Sequence, residues 1–107
     1  MKLQVGTFIL ENRSLYLGNG QPPIKFNPKE SELLALLMKS PGQVVSRAQI
    51  MKEVWQTDYL GDTRTLDVHI CWLRQKLEND PTNPQVLVTA RGVGYRLNVP
   101  AELNWSS

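Results

Sequence analysis

The run from Arg64 to Glu78, RTLDVHICWLRQKLE, constrains the chain more than any other stretch. Wound at about 100° per residue, it sets Leu66, Ile70, Leu73 and Leu77 on one narrow stripe. A stripe of that kind has to be buried, so the run reads as an amphipathic helix laid on a core. Arg64, Thr65, Val68, Cys71, Trp72 and Gln75 fall on the opposite side, where guanidinium, hydroxyl, amide and apolar groups face outward together. After the break Asn79-Asp80-Pro81-Thr82-Asn83-Pro84, two strand-forming runs follow, Val86 to Ala90 and Tyr95 to Val99. They are joined by the glycine-bearing tip Arg91-Gly92-Val93-Gly94, which reads as a hairpin carrying arginines.

An outward Val68 and Trp72 need a reason. In one reading they cover a second protein surface, and the helix is the docking face of a protein-interaction module. In the other the helix lies in the major groove of DNA, where a small apolar side chain touches a thymine methyl and an amide pairs with adenine. Helix geometry weighs the two about evenly.

The flanking words break the tie. RTLDVHI-x-x-LR-x-KLE followed by RGVGYR resembles the effector domain of the OmpR/PhoB family of two-component response regulators. Upstream, the segment from Phe26 to Leu37 is similar to that family's first helix with its capping start. The segment from Val45 to Trp55 is similar to its second helix, ending in the family's tryptophan. The resemblance covers residues 3 to 98, and several words in the correct order are more specific than any one of them. It implies an α+β winged helix-turn-helix with an N-terminal antiparallel sheet, three helices and a C-terminal hairpin wing. The function implied is sequence-specific binding of double-stranded DNA and transcription regulation, with the third helix in the major groove and the wing in the minor groove. The partners implied are direct-repeat DNA sites, RNA polymerase, and a receiver domain phosphorylated by a sensor kinase.

A length of 107 residues suits one domain spanning 1–107, with an ordered core of about 3–99 and no receiver domain. Folding at this size buries roughly two-thirds of the unfolded surface, so no metal or disulfide staple is required. Cys71 is the single cysteine, which fits a reducing cytoplasm. No apolar run is long enough for a bilayer, and the start Met1 to Gly6 lacks a signal-peptide core, so a soluble cytoplasmic protein without a membrane partner is expected. The net charge of +2 is too small to point to nucleic acid by itself. Its placement says more. Arg64, Arg74, Lys76, Arg91 and Arg96 lie late in the chain and Glu30, Glu32 and Glu53 lie earlier, an asymmetry that would orient the domain on a polyanion.

Four short strands are expected first, Leu3 to Val5, Phe8 to Leu10, Ser14 to Leu17 and Ile24 to Phe26. Their turns fall at Asn12-Arg13 and Gly18-Asn19-Gly20. Asn27-Pro28-x-Glu30 is a capping box with proline at the first helical position. The helix it opens should bury Leu33, Leu34, Leu36 and Leu37 and stop at Ser40-Pro41-Gly42. Ser46-x-x-Gln49 reads as a second capping box, for a helix with Ile50, Met51 and Val54 inward. Gln56 to Asp62 breaks that helix before the third starts near Thr63, and Pro100 to Ser107 reads as a tail.

The resemblance assigns roles residue by residue. Val68, Cys71, Trp72 and Gln75 match base-facing positions, although Cys71-Trp72 departs from the basic or small polar pair of many members, and a tryptophan cannot bond guanine as arginine does. The plain alternative for Trp72 is an indole lying flat over neighbouring surface. Arg64, Thr65, His69 and Arg74 match phosphate contacts; otherwise they form a solvated rim, with Arg74 paired to Glu78 or Asp67. Trp55 matches a phosphate donor and serves equally as a core-edge aromatic. Arg91, at the hairpin tip, suits a narrow A·T-rich minor groove. Thr89 and Tyr95 could bond phosphates through their hydroxyls, with Tyr95 alternatively buried against the third helix. Gly92 and Gly94 permit the turn, and Arg96 is solvated. In the loop Gln56 to Gly61, Asp58 and Tyr59 match a polymerase-contact surface, the alternative being a plain turn.

Other chemistry finds little support. Asp67, His69 and Cys71 lie at i, i+2 and i+4 of a helix, about 200° apart at each step, and cannot close around one ion. The same angle separates Cys71 from His69 as nucleophile and base. Gly92-Val93-Gly94 leads into a strand, where a nucleotide loop needs a helix. Neither a cofactor nor an enzyme is expected.

Overall fold

A computed structural model of the chain describes residues 2–18, 20–58, 61 and 63–98. Four strands come first: β1 (Lys2–Val5), β2 (Phe8–Glu11), β3 (Ser14–Tyr16) and β4 (Ile24–Lys25), antiparallel and in sequence order. Their register aligns Leu3 with Leu10, Leu10 with Leu15 and Leu15 with Ile24, so one apolar row crosses the sheet. The β2–β3 turn places both Asn12 and Arg13 in the left-handed region, at φ 51° and 64°. A two-residue hairpin of type I′ demands that of both residues, and asparagine accepts it more readily than arginine.

Helix α1 (Pro28–Met38) opens on the expected capping box. Asn27 Oδ1 accepts from the Glu30 amide at 2.8 Å, and Glu30 Oε1 accepts from the Asn27 amide at 2.8 Å. Leu33, Leu34 and Leu37 are fully buried, whereas Leu36 is only half-buried. Glu30 itself is 2% exposed, and its carboxylate also takes Lys76 at 2.8 Å. A buried carboxylate needs such partners to remain charged.

Helix α2 (Arg47–Trp55) starts with half of the predicted box. Ser46 Oγ accepts from the Gln49 amide at 3.1 Å, but the Gln49 side chain turns to Glu53 at 2.8 Å and does not reach back. Before it lies β5 (Val44–Ser46), a strand that local sequence does not announce. Gln56 ends α2 in the left-handed conformation. Helix α3 (Arg64–Leu77) follows, then β6 (Leu87–Ala90) and β7 (Gly94–Leu97). The wing is therefore more than a hairpin, since β7 pairs with both β6 and β5 in a three-stranded antiparallel sheet ordered β5-β7-β6. The expected continuation of the last strand to Val99, and the tail from Pro100, lie outside the described residues, as do Tyr59 and Leu60.

The core joins the two sheets through the helices. Phe8 and Leu15 from the first sheet, Leu34 and Ile50 from α1 and α2, Leu73 from α3 and Leu97 from β7 are all fully buried in one cluster. Met51 and Val54 face inward as their spacing predicts.

Candidate nucleic-acid interface

On α3 the two faces separate as the periodicity requires. Leu66, Ile70, Leu73 and Leu77 are buried, while Arg64, Thr65, Val68, Cys71, Trp72 and Gln75 are all exposed. Val68 is 43% and Trp72 42% exposed, large fractions for apolar side chains on a helix that already has a buried stripe. Gln75 Nε2 lies 3.8 Å from Cys71 Sγ, a weak contact along this face.

His69 sits at the edge of that face. Its Nδ1 lies 2.8 Å from the Thr65 carbonyl oxygen, which accepts only, so Nδ1 carries the hydrogen and Nε2 is the nitrogen left for a partner. The imidazole meets Trp55 edge-on with centroids 5.1 Å apart and Trp72 at a tilt with centroids 4.9 Å apart. Three residues predicted separately thus form one aromatic row, running from the end of α2 onto the outer face of α3.

The wing is held against α3 by side chains that the sequence reading assigned elsewhere. Arg74 Nε donates to the Leu87 carbonyl at 3.0 Å and Nη2 to Thr89 Oγ1 at 2.8 Å, with the guanidinium 5.8 Å from the Tyr95 ring centre. Neither carboxylate suggested for Arg74 is its partner. Glu78 instead lies buried and accepts from the Gln85, Val86 and Leu87 amides, the two shortest bonds being 2.7 Å. Asp67 takes Arg47 and Tyr95. Tyr95 is 6% exposed, the buried alternative; its hydroxyl donates to Asp67 Oδ1 at 3.2 Å and accepts from Arg47 Nη1 at 3.1 Å. Burial, reinforced by the Asp67 carboxylate, pushes this phenol above its ordinary value. Burial acts to lower the Arg47 guanidinium, but Asp67 and Tyr95 outweigh it and hold the group above its usual range. Arg47 Nη2 also donates to Thr63 Oγ1, which leaves α3 without a side-chain cap from that threonine.

At the tip, Arg91 is exposed and Gly92 takes φ 78°. Val93, to which no local sequence signal assigns a role, is 54% exposed there, and its carbonyl accepts from the Arg47 amide at 3.1 Å. Gly94 is required for a reason other than the turn: a Cβ at this position would stand 2.0 Å from the Val45 carbonyl oxygen of β5. Arg96 is exposed, as expected. Lys76 adds little to the basic side of the charge asymmetry, because it is engaged by Glu30 and by the Lys25 carbonyl at 3.0 Å. Asp58 is exposed, and Tyr59 lies outside the described residues. Among the described residues no cluster of His, Cys, Asp or Glu is arranged to hold a metal, and no helix is long and apolar enough to cross a membrane.

Two small sheets flanking three helices, with a mixed exposed face on α3 beside a β wing, define a winged-helix domain of the DNA-binding class. Residues 20–97 match the family described as transcriptional regulatory protein, C terminal, and the chain belongs to that family as an effector domain of the OmpR/PhoB response-regulator type. It is 53% identical over 79 residues to the sensory transduction protein RegX3 of Mycolicibacterium smegmatis, a match covering 74% of this chain and 34% of RegX3. The chain therefore spans about a third of that relative's length. Its fold is similar to the Klebsiella pneumoniae RstA DNA-binding domain, solved in complex with the RstA box, with TM-score 0.79 and 27% identity over 91% of this chain and 96% of that one. It is also similar to DrrB of Thermotoga maritima, an OmpR/PhoB homolog, with TM-score 0.75 and 26% identity over 92% of this chain and 44% of DrrB.

Proposed function

We propose that α3 lies in the major groove of duplex DNA with Val68, Cys71, Trp72 and Gln75 toward the base edges, while the wing carries Arg91 into the adjacent minor groove. Trp55, Arg64, Thr65, His69, Arg74 and Thr89 border this face and fix the register on phosphates. Tyr95 serves that register chiefly from beneath, its hydroxyl being engaged by Arg47 and Asp67. The observation that carries the reading is the exposed mixed face of α3 braced to the wing through the Arg74–Thr89 bond of 2.8 Å. The RstA domain, solved with its box, supports DNA as the occupant of such a face.

On this reading residues 1–107 form one domain that regulates transcription in the cytoplasm as the output of a two-component system. It binds direct-repeat sites under the control of a receiver domain and its sensor kinase, and Asp58 with Tyr59 faces RNA polymerase. A mobility-shift titration on duplex DNA at two salt concentrations tests the DNA contact, since each neutralised phosphate contributes a slope of about −0.9 in log affinity against log salt. Arg91→Ala should weaken binding chiefly on sites with an A·T-rich flank. Binding that ignores salt, or none at low salt, would leave Val68 and Trp72 as a protein-docking patch. Replacing Asp58 and Tyr59 together by Ala should spare DNA affinity and lower activated transcription in a reconstituted assay.

A further inference from the structure

We infer that the recognition face selects its half-site by the C5-methyl groups of pyrimidines, thymine above all, with Trp72 and Val68 as the reading surfaces and Gln75 pairing an adenine. The inference rests on the proposed placement of α3 in the major groove. Val68, Cys71, Trp72 and Gln75 occupy the middle of the outward face, and none carries charge. Of the cations further along the helix, Arg74 bonds Leu87 and Thr89 of the wing and Lys76 bonds Glu30, while Arg64 stands a full turn before Val68 at the start of α3. The bidentate bond to guanine made by arginine or lysine therefore has no donor at these central positions. What the face offers is apolar area, with Val68 43% and Trp72 42% exposed, and one amide. In the major groove the apolar feature of a base edge is the C5 methyl, and an amide is complementary to adenine N6 and N7.

The indole is also held in place. Trp72 leans on His69, which is fixed by its Nδ1 bond to the Thr65 carbonyl at 2.8 Å and by the edge of Trp55. That contact restricts the indole on one side before binding, which lowers the ordering cost of a shape-reading contact. Val68, Trp72 and Gln75 stand at i, i+4 and i+7, so they span about 10 Å along the helix, roughly three base steps. The half-site that fits has methyl-bearing pyrimidines beneath Val68 and Trp72 and an adenine beneath Gln75.

The experiment starts from duplexes selected by the intact chain out of a random pool. Each thymine of the half-site is then replaced in turn by uracil, which removes the methyl and keeps the pairing. One or two positions should weaken by about fourfold each, the scale of burying one methyl group. The loss should disappear in Trp72→Ala or Val68→Ala according to position. Cytosine at the same position should bind poorly, and 5-methylcytosine should recover about fourfold. Trp72→Arg should lose the uracil sensitivity at the position Trp72 covers and select guanine there, while the penalty beneath Val68 stays. Salt-dependent binding that is indifferent to uracil at every position, or a uracil penalty unchanged in both alanine variants, overturns this inference and leaves the groove placement standing. Absence of any duplex binding at low salt overturns both.

Discussion

Arg47 at the start of α2 holds Asp67 of α3 at 3.0 Å, and both meet the hydroxyl of Tyr95 on β7. Three elements that separately face the proposed DNA site are thereby tied at one point. The Arg47 amide adds a second tie, to the Val93 carbonyl at the wing tip. The pair is partly open, with side chains 30% and 52% exposed, so solvent screens much of its Coulomb energy. What the pair contributes to the fold is a direct tie between α2, α3 and β7.

Arg47→Ala should lower stability by about 1–3 kcal/mol, the range for a screened charged pair with two further hydrogen bonds, to Tyr95 and Thr63. Urea denaturation reads that cost, and amide exchange in β7 should quicken more than exchange in α1. Asp67→Ala should act alike. Asp67→Asn should cost less, because its amide oxygen still accepts from Tyr95. An Arg47→Ala protein with unchanged β7 exchange would show that the wing is positioned by other contacts.

Tyr95 gives a pH signature. Its folded-state value is raised, by burial first and by Asp67 second, with Arg47 opposing. A raised acid keeps its proton longer in the folded state, so the stability linked to it is fully present below the unfolded value near 10 and is lost as pH rises above it. The melting-temperature gap between the wild type and Tyr95→Phe should therefore be constant from pH ~8 to ~9.5 and shrink toward pH ~11. A flat gap throughout would mean that the phenol titrates alike in the folded and unfolded chain, without the raised value.

Glu78 is the least expected structural residue. Buried just past the end of α3, it satisfies the amides of Gln85, Val86 and Leu87 where β6 begins. Glu78→Gln turns one acceptor oxygen into a donor facing an N–H. Leaving those groups unmatched should cost about 2–3 kcal/mol in chemical denaturation. A neutral outcome would mean that water or a local shift resupplies the acceptor.

What the sequence reveals follows the reach of each interaction. The α3 stripe and the Asn27–Glu30 box are legible because they depend on residues within one or two helical turns. β5 is not, because Val44 to Ser46 become a strand only through pairing with Arg96, Tyr95 and Gly94. Lys76 to Glu30, 46 residues apart, and Tyr95 to Asp67, 28 apart, are likewise products of packing. For the candidate site, the outward residues of α3 could be read from period alone. The aromatic row and the wing braces could not, since each side chain had several plausible partners until the helices were docked.

The two wing glycines separate backbone conformation from crowding. Gly92 sits at φ 78°, and an added Cβ would meet nothing within 4 Å. Gly92→Ala should therefore cost only the left-handed penalty of roughly 1–2 kcal/mol, and Gly92→Asn less. Gly94 has no such φ, but its Cβ would stand 2.0 Å from the Val45 oxygen and 2.8 Å from Ser46 Cα, both backbone atoms that cannot rotate away. Gly94→Ala must push β5 off β7, breaking the sheet that anchors the wing to α2. It should cost more than about 4 kcal/mol, in the range reserved for severe core disruption. Denaturation of both variants, with amide exchange at Val45 and Tyr95, distinguishes the two mechanisms. Equal costs, or protected Val45 and Tyr95 amides in Gly94→Ala, would show that β5 yields easily and that the close approach is not what requires glycine there.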